Sequence, residues 1–274
     1  MAERDVPLEG RTALVTGASR GIGQTIAERF AEAGAAVAVS ARTVEEGDHP
    51  LPGSISSTVQ GITKAGGTAL AVAADLAKQA ERRALVAEVE RQLGPIDVLV
   101  NNAAVTYFEP VEGFDERHYH TMFEVQVRAS FELAQLVLPG MRERGRGWIL
   151  NISSGVARHP QGPPYGRRGM RGGTVYGMCK AAIERFTTGL AAEVHDAGVA
   201  VNVLSPAGLV ATPGVVHHGL NRGVPAEALE PPEAMAEAAL ALCTGDPAEL
   251  TGRITYSRPL LAELGREIPG GAGS

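Results

Sequence analysis

A tyrosine and a lysine at helical spacing are the residues of this sequence best suited to exchange a proton. Tyr176 and Lys180 stand at positions i and i+4 of an apolar pattern that runs from Val175 to Val194, so a helix places both side chains on one face. A phenol with a free pKa of about 10 is a poor base at neutral pH, but an adjacent ammonium group stabilises the phenolate and lowers that pKa. Tyr176 is therefore a candidate to give or take the proton of an alcohol oxygen.

Two hydroxyls upstream of this pair could serve the same chemistry. Asn151-Ile152-Ser153-Ser154 closes a short apolar run. A serine at the end of a strand is most often a turn or cap residue, and a tyrosine and a lysine at i, i+4 spacing are often only a surface contact. On these residues alone, the structural and the catalytic interpretations both stay open.

Three glycines follow the first apolar run, in the stretch Thr16-Gly17-Ala18-Ser19-Arg20-Gly21-Ile22-Gly23. The missing side chains let backbone N–H groups approach a phosphate, and the amino end of a helix adds a partial positive charge. A tight turn whose glycines serve packing only is the alternative. The glycine stretch lies directly after a strand and before an amphipathic helix, and this position favours binding of a pyrophosphate.

The elements that must position these residues alternate between strand and helix. Ile22, Ile26 and Phe30 repeat at helical spacing, and similar patterns separate the other apolar runs. Right-handed crossovers then stack the strands into a mostly parallel sheet of about seven strands with helices on both faces. We predict one doubly wound, Rossmann-like α/β domain over residues 1–274, with loops at Thr43–Ser57 and Ala157–Thr174. The predicted strands are Thr12–Thr16, Ala35–Ser40, Thr68–Ala73, Ile96–Val100, Trp148–Ile152, Val199–Leu204 and Arg253–Tyr256.

The glycine turn resembles the Thr-Gly-x-x-x-Gly-x-Gly pattern of the short-chain dehydrogenase/reductase family, and the match is complete. Further matches follow in the family's order over roughly Arg11 to Tyr256. They are Asp75-Leu76 after the third predicted strand, Asn101-Asn102-Ala103-Ala104 after the fourth, with Ala104 in place of the usual glycine, then Ser154, Tyr176 and Lys180.

The resemblance implies a role for each matching residue. Ser154, with Ser153 as the fallback, orients a substrate carbonyl towards Tyr176, while Lys180 lowers the pKa of the tyrosine. Pro206-Ala207-Gly208, with Thr212 beyond, resembles the segment that holds the nicotinamide carboxamide, with an apparent shift of one residue. The implied cofactor-binding residues are Gly17, Ser19, Arg20, Gly21, Ile22, Gly23, Arg42, Asp75, Leu76, Asn102, Ala103, Ala104, Tyr176, Lys180, Pro206, Gly208 and Thr212.

The end of the second predicted strand indicates which nucleotide is preferred. An acidic residue there would bind the adenosine ribose of NAD and repel a 2′-phosphate, but the sequence reads Ser40-Ala41-Arg42. Arg42 and Arg20 could clamp a phosphate through charge-assisted hydrogen bonds. We therefore expect NADP(H) rather than NAD(H), the alternative being that both arginines are ordinary solvated residues.

Two positions depart from the family pattern. Gln126 stands where the family usually has an asparagine that links the lysine to solvent through water, so the relay is preserved, rearranged or weakened. The interval from Ser154 to Tyr176 is longer than usual and contains Arg167, Arg168 and Arg171. This insertion is either a solvated loop or a lid that recognises an acidic substrate.

Composition excludes several other classes. The net charge of −6 argues against a nucleic-acid partner or an anionic membrane surface, and the absence of a signal segment predicts a cytoplasmic protein. Cys179 and Cys243 are expected to be free thiols. The pairs His118–His120 and His217–His218 lack the spacing of metal ligands, so no metal is expected.

The sequence thus predicts an NADP(H)-dependent oxidoreductase that moves a hydride between the nicotinamide and a small carbonyl or alcohol substrate. Ser154, Tyr176, Lys180 and Gln126 are its candidate catalytic residues. Family members commonly form dimers or tetramers through the helices that carry Gln126 and Tyr176, so the resemblance also implies a homo-oligomer. The alternative is a dinucleotide-binding regulatory protein with little or no turnover, which Gln126 and the altered Pro206 segment would favour.

Overall fold

The computed structural model describes residues 6–165 and 172–268, and over these the chain alternates strand and helix. The strands are β1 Thr12–Thr16, β2 Ala36–Ala41, β3 Thr68–Ala73, β4 Ile96–Asn101, β5 Gly147–Ile152, β6 Val199–Ser205 and β7 Ile254–Tyr256. The helices are α1 Gly21–Glu32, α2 Ile55–Lys64, α3 Gln79–Leu93, α4 Glu116–Phe123, α5 Ala129–Arg144, α6 Thr174–Val194, α7 Pro213–His217, α8 Pro232–Thr244 and α9 Ser257–Glu263. A π-helical turn, Glu124–Arg128, joins α4 to α5.

All seven strands are parallel and pair in the order β3-β2-β1-β4-β5-β6-β7. The predicted α/β architecture with a parallel central sheet is therefore confirmed. The order reverses between β1 and β4, and at such a switch point the loops that leave the carboxyl ends diverge to opposite faces. The resulting crevice lies beside Thr16 and Asn101, the last residues of β1 and β4.

The core has one layer on each face of the sheet because neighbouring residues of a strand point in opposite directions. Val15 packs into the layer formed by α1, α2, α8 and α9, whereas Leu14 packs into the layer formed by α3, α5 and α6. Helix α8 is almost entirely buried against α1, and its alanine-rich face allows a close approach. Both faces of the sheet are thus covered, as in a doubly wound fold.

The predicted boundaries differ from the observed ones in a few places. Strand ends shift by about one residue, the usual uncertainty at an element's end. The loop predicted at Thr43–Ser57 ends earlier, because α2 begins at Ile55 behind a capping box formed by Ser54 and Ser57. The loop predicted at Ala157–Thr174 ends one residue earlier than predicted, because α6 begins at Thr174. Arg167, Arg168 and Arg171, on which the lid alternative depends, lie outside the described residues.

Candidate active site

The glycine turn is held against the carboxyl end of β4 by a set of short contacts. Gly17 has a φ of +64°, and a Cβ atom added there would lie 2.7 Å from the Cα of Ala103. The Thr16 hydroxyl donates to the carbonyl of Val100 at 3.1 Å, and the Asn102 Nδ2 donates to the carbonyls of Thr16 and Gly17, both at 3.0 Å. Only glycine fits at position 17, since both the backbone angle and the space exclude a side chain.

The amino end of α1 is open to an anion. Arg20 is its N-cap residue, and no side chain of the described residues caps the helix. The first N–H groups of a helix need acceptors from outside the helix, and here they face the crevice between β1 and β4. A pyrophosphate supplies such acceptors, so the residues present fit the phosphates of a dinucleotide. Thr212 lies next to this turn, because its Cγ2 is 3.0 Å from where a Cβ of Gly21 would be.

The two arginines predicted to clamp a phosphate differ in their surroundings. The Arg20 guanidinium donates to the carbonyls of Pro52 at 2.8 Å and Gly53 at 2.6 Å and to the Thr43 hydroxyl at 3.2 Å. The Arg20 donors thus hold the loop between β2 and α2, and its part in a phosphate clamp stays a prediction. Arg42, by contrast, is exposed at the end of β2. Burial, followed by the charges of Arg20 and Arg42, lowers the pKa of His49.

Asp75 and Leu76 lie where β3 leads into α3. The Asp75 carboxylate accepts from the Ala77 N–H at 3.1 Å and lies 3.7 Å from the Lys78 ammonium, while its own N–H donates to Glu81 at 2.6 Å. The carbonyl of Leu76 accepts from the buried Arg82. These contacts shape the turn at the rim of the crevice and leave the Asp75 side chain half-buried.

Helix α6 brings Tyr176 and Lys180 together at the end of β5. The Lys180 ammonium lies 5.5 Å from the centre of the Tyr176 ring and donates to the carbonyl of Ile152 at 3.0 Å. The Ser154 side chain lies beside the Tyr176 phenol, where it acts to lower the pKa of the tyrosine. A hydroxyl, a phenol and an ammonium therefore meet beside the nucleotide crevice, in the arrangement that a proton donor to a carbonyl oxygen requires.

The protonation of this pair differs from the prediction. Burial raises the pKa of Tyr176 to about 12, and only the neighbouring Ser154 side chain acts in the opposite direction. Burial also lowers the pKa of Lys180 to about 8. Desolvation of the phenolate is the largest effect on this pKa, and Lys180 is not among the groups that shift it. Tyr176 is a neutral phenol, which is the form that can donate a proton.

The neighbouring serine points elsewhere. The Ser153 hydroxyl donates to Glu184 Oε1 on α6 at 2.8 Å and is buried. Successive residues of an extended segment project to opposite sides, so only one of the two serines can face the phenol. Of the two candidates, the structure brings Ser154 to Tyr176.

Gln126 lies in the π-helical turn, a feature often found at functional sites. Its Nε2 donates to the carbonyl of Val105 at 2.9 Å, and its Oε1 is buried with no hydrogen-bond partner among the described residues. The amide thus fixes the segment that follows the Asn102 motif. The same segment places the Phe108 ring edge-on to Tyr176, with 6.1 Å between ring centres.

Sequence reasoning missed a buried polar chain that ties the site together. Asn101 Nδ2 donates to Asn151 Oδ1 at 2.8 Å, and Asn151 Nδ2 donates to the Thr187 hydroxyl at 2.8 Å. The chain links the carboxyl ends of β4 and β5 to the middle of α6. Polar residues at the ends of apolar strands were the available signal, since a buried amide must find partners.

Pro206-Ala207-Gly208 follows β6 and faces the same edge of the sheet. The N–H of Gly208 donates to the carboxylate of Glu230, so this donor is already satisfied. Thr212 caps α7 by accepting from the Val215 N–H at 3.3 Å. The cofactor contacts that the resemblance implies for Gly208 and Thr212 stay predictions.

The histidines and cysteines have local roles in the described residues. His118 pairs with Glu109 at 2.9 Å, and His120 lies 3.3 Å from Glu116. Within residues 6–165 and 172–268 no group of three or more His, Cys, Asp or Glu side chains is placed to hold a metal ion. Cys179 and Cys243 are free and buried. No helix in the same ranges is long and apolar enough to cross a membrane.

Fold and site together define an NAD(P)-binding α/β protein, and comparison with known proteins gives its family. The family model described as short chain dehydrogenase matches residues 11–219. A short chain dehydrogenase of Pseudocercospora fijiensis is 35% identical over 78% of this chain, and the alignment spans 64% of that relative. An acetoacetyl-CoA reductase of Allochromatium vinosum is 33% identical over 86% of this chain and 92% of the relative.

Solved structures agree with this result. The 3-oxoacyl (acyl-carrier-protein) reductase of Agrobacterium tumefaciens, determined with NADP bound, has a TM-score of 0.78 and 30% identity over 93% of this chain and 96% of its own. The chain belongs to the short-chain dehydrogenase family, a group of NAD(P)-dependent oxidoreductases that act on small molecules.

Proposed function

We propose that this protein is an NADP(H)-dependent oxidoreductase that interconverts a carbonyl and a secondary alcohol, with Tyr176 as the proton donor and acceptor. The observation that carries the proposal is the meeting of Ser154, Tyr176 and Lys180 at the end of β5, on the same carboxyl edge of the sheet as the glycine turn before α1. A phosphate-binding turn and a proton-transfer group at one crevice suit reduction of a bound carbonyl.

The proposed roles follow from the contacts. The Ser154 hydroxyl holds the substrate oxygen next to the phenol of Tyr176, which donates its proton as the oxygen gains charge. Lys180, fixed by the Ile152 carbonyl, is mostly protonated at neutral pH because its pKa is about 8. Its charge stabilises the phenolate left after proton transfer. The bound nicotinamide nucleotide supplies the hydride in reduction and accepts it in oxidation.

The preference for NADP(H) rests on Arg42. Its guanidinium is exposed at the carboxyl end of β2, where a ribose 2′-phosphate is expected. A planar guanidinium matches a phosphate better than other side chains do. The NADP bound to the Agrobacterium relative supports this choice. Arg20 contributes charge to the same corner, although its donors hold the loop.

The remaining expectations concern organisation. We propose that residues 1–274 form a single NAD(P)-binding domain and that a second copy of the chain covers an apolar face of α5 and α6. This face includes Phe131, which is 49% exposed, with Phe123, Val127 and Ile183 beside it. Glu124 and Arg128 lie on the same face, where they pair with each other at 3.6 Å. The two free, buried thiols support a cytoplasmic location.

The test compares Tyr176→Phe with the parent on a panel of ketones and aldehydes. Turnover should fall by roughly a thousandfold, since a general acid contributes about 10²–10⁴, while binding of NADPH is unchanged. Tyr119→Phe removes a phenolic hydroxyl from α4 and serves as the matched control. A parent that binds NADPH but reduces no carbonyl would instead favour the regulatory alternative. Full activity of Tyr176→Phe would remove this residue from the mechanism.

A further inference from the structure

The segment that follows β6 is fixed by two side chains from distant parts of the chain. The Ala207 N–H donates to the Ser257 hydroxyl at 3.1 Å, and the Gly208 N–H donates to Glu230 Oε2. The Ser257 hydroxyl in turn donates to Glu230 Oε1. We call the Glu230 and Ser257 side chains with these two N–H groups the Glu230 clamp. It connects the segment after β6, the start of α9 and the loop that leads into α8.

Burial makes the clamp more than a surface contact. Glu230 is 2% exposed and Ser257 is fully buried. A buried carboxylate is costly unless its oxygens accept hydrogen bonds, and a well-packed apolar residue would often be at least as stable. Each carboxylate oxygen of Glu230 has a donor here, and those donors trace back to Ala207 and Gly208. The carboxylate therefore specifies the geometry of this segment.

The backbone reinforces the same alignment. The Glu230 N–H donates to the carbonyl of Leu209 at 2.9 Å, and Leu209 pairs with Leu229 as an isolated parallel bridge. Gly208 packs closely on the clamp, since a Cβ added there would lie 3.3 Å from the Cβ of Glu230. The segment 207–209 is thus held by main-chain and side-chain bonds together.

The other end of the segment reaches the phosphate turn. Thr212 contacts the position of Gly21, as described above, and caps α7. Residues 206–212 therefore span from the clamp to the amino end of α1. The resemblance assigns this segment to the nicotinamide, so a shift at Ala207 and Gly208 would move the surface expected to face that ring while leaving the glycine turn in place.

We propose that Glu230, acting partly through Ser257, is a positioning residue for the nicotinamide half of the dinucleotide. The inference rests on the proposed function. It assigns a task to a buried carboxylate that lies outside the Ser154–Tyr176–Lys180 group. It also accounts for the altered Pro206-Ala207-Gly208 motif, whose N–H groups are taken up by the clamp and are not available to the cofactor.

The experiment measures two ligands against the same variants by calorimetric titration. NADP⁺ carries both halves of the dinucleotide, whereas 2′,5′-ADP carries only the adenosine half with its 2′-phosphate. Glu230→Gln and Ser257→Ala should each weaken NADP⁺ binding roughly tenfold, the effect of about one charge-assisted hydrogen bond. Binding of 2′,5′-ADP should stay within twofold of the parent. Ser257→Thr keeps the hydroxyl and should restore NADP⁺ binding.

Glu237→Gln is the matched control. Glu237 is another buried glutamate, on α8, where it pairs with Arg29 at 2.9 Å and Arg266 at 3.0 Å. This variant should lower the melting temperature, and it should not produce a difference between the changes in affinity for NADP⁺ and for 2′,5′-ADP. If Glu230→Gln does not fold, the comparison of Ser257→Ala with Ser257→Thr decides the question.

Two results would overturn the inference. One is an equal loss of affinity for both ligands, which would show a general loss of structure, and the other is unchanged NADP⁺ binding in both clamp variants. Failure of the proposed function is distinguishable from either, because in that case the parent protein would bind NADP⁺ but reduce no carbonyl, or would bind neither ligand.

Discussion

The glycine turn between β1 and α1 and the segment after β6 lie at the same edge of the sheet, but different kinds of contact hold them in place. The turn is held by neighbours within the sheet, since Thr16 and Asn102 lie at the ends of adjacent strands. The segment after β6 is held by Glu230 and Ser257, which are 22 and 50 positions away from the N–H groups they accept. One region depends on contacts imposed by the fold, and the other on two particular side chains.

This difference indicates how the two ends of a dinucleotide site can vary. Any chain that forms β1, β4 and α1 in this order and has glycine at the turn obtains the phosphate site from backbone geometry. The segment after β6 needs partners that the fold does not supply by itself. Changes in the second region can therefore alter cofactor orientation and substrate choice without loss of the nucleotide site.

We expect the largest effect from a substitution in the glycine turn. Gly17→Ala forces a side chain into a backbone with a φ of +64° and against Ala103 at 2.7 Å. We expect a loss of about 2–3 kcal/mol in unfolding free energy, from backbone strain together with overpacking, and loss of NADPH binding. Urea denaturation and nucleotide titration measure the two effects.

Gly66→Ala is the control for strain alone. Gly66 has a φ of +87°, but nothing lies within 4 Å of an added Cβ. Its cost should be about 1 kcal/mol, with NADPH binding unchanged. Equal costs at positions 17 and 66 would show that the contact with Ala103 does not define the turn.

A second prediction concerns the nucleotide preference at the adenosine end. Arg42→Ala should raise the Kd for NADPH roughly tenfold, the loss of about one charge-assisted hydrogen bond, and leave the Kd for NADH unchanged. Arg83→Ala removes another exposed arginine, on α3, and controls for net charge. An equal rise in Kd for NADPH and NADH, or a parent protein that does not prefer NADPH, would contradict the proposal that Arg42 binds the 2′-phosphate.

The two regions were also unequally predictable from sequence. Buried parallel strands are continuous apolar runs, so their positions were predicted to within about a residue, and the glycine turn between β1 and α1 carries its own backbone requirement. Ser154, Tyr176 and Lys180 could be selected because local spacing and chain order both pointed to them. Their meeting in space depends on the crossover from β5 to α6.

What could not be predicted depends on contacts between distant segments. The role of Arg20 follows from the path of the loop through Pro52 and Gly53, which has no periodic pattern. The pKa of Tyr176 depends on how much water the surrounding segments exclude. Glu230 stands in a polar, proline-rich stretch, and nothing in its local sequence indicates a buried carboxylate.

The Ser154–Tyr176–Lys180 group differs from the glycine turn because it contains two buried ionisable side chains. Their effect on the pH dependence of stability is the smallest effect that we predict. The pKa of Lys180 is lowered from 10.5 to about 8 in the folded protein. Between these values the unfolded chain binds more protons than the folded one, so the free energy of unfolding rises with pH. Lys180 should contribute an increase of about 1 kcal/mol between pH 8 and pH 9.

Comparison with Lys180→Met isolates this contribution, because the variant keeps a side chain of similar length without the titrating group. The difference in unfolding free energy between parent and variant should shift in favour of the parent as pH rises through 8, and urea denaturation at several pH values measures it. Tyr176 acts in the opposite sense at higher pH. Its pKa of about 12 means that the folded state keeps a proton that the unfolded state releases above about pH 10, so stability falls there. A pH-independent difference between parent and variant would show that Lys180 is not desolvated, and the catalytic side would then resemble the phosphate turn in depending on geometry alone.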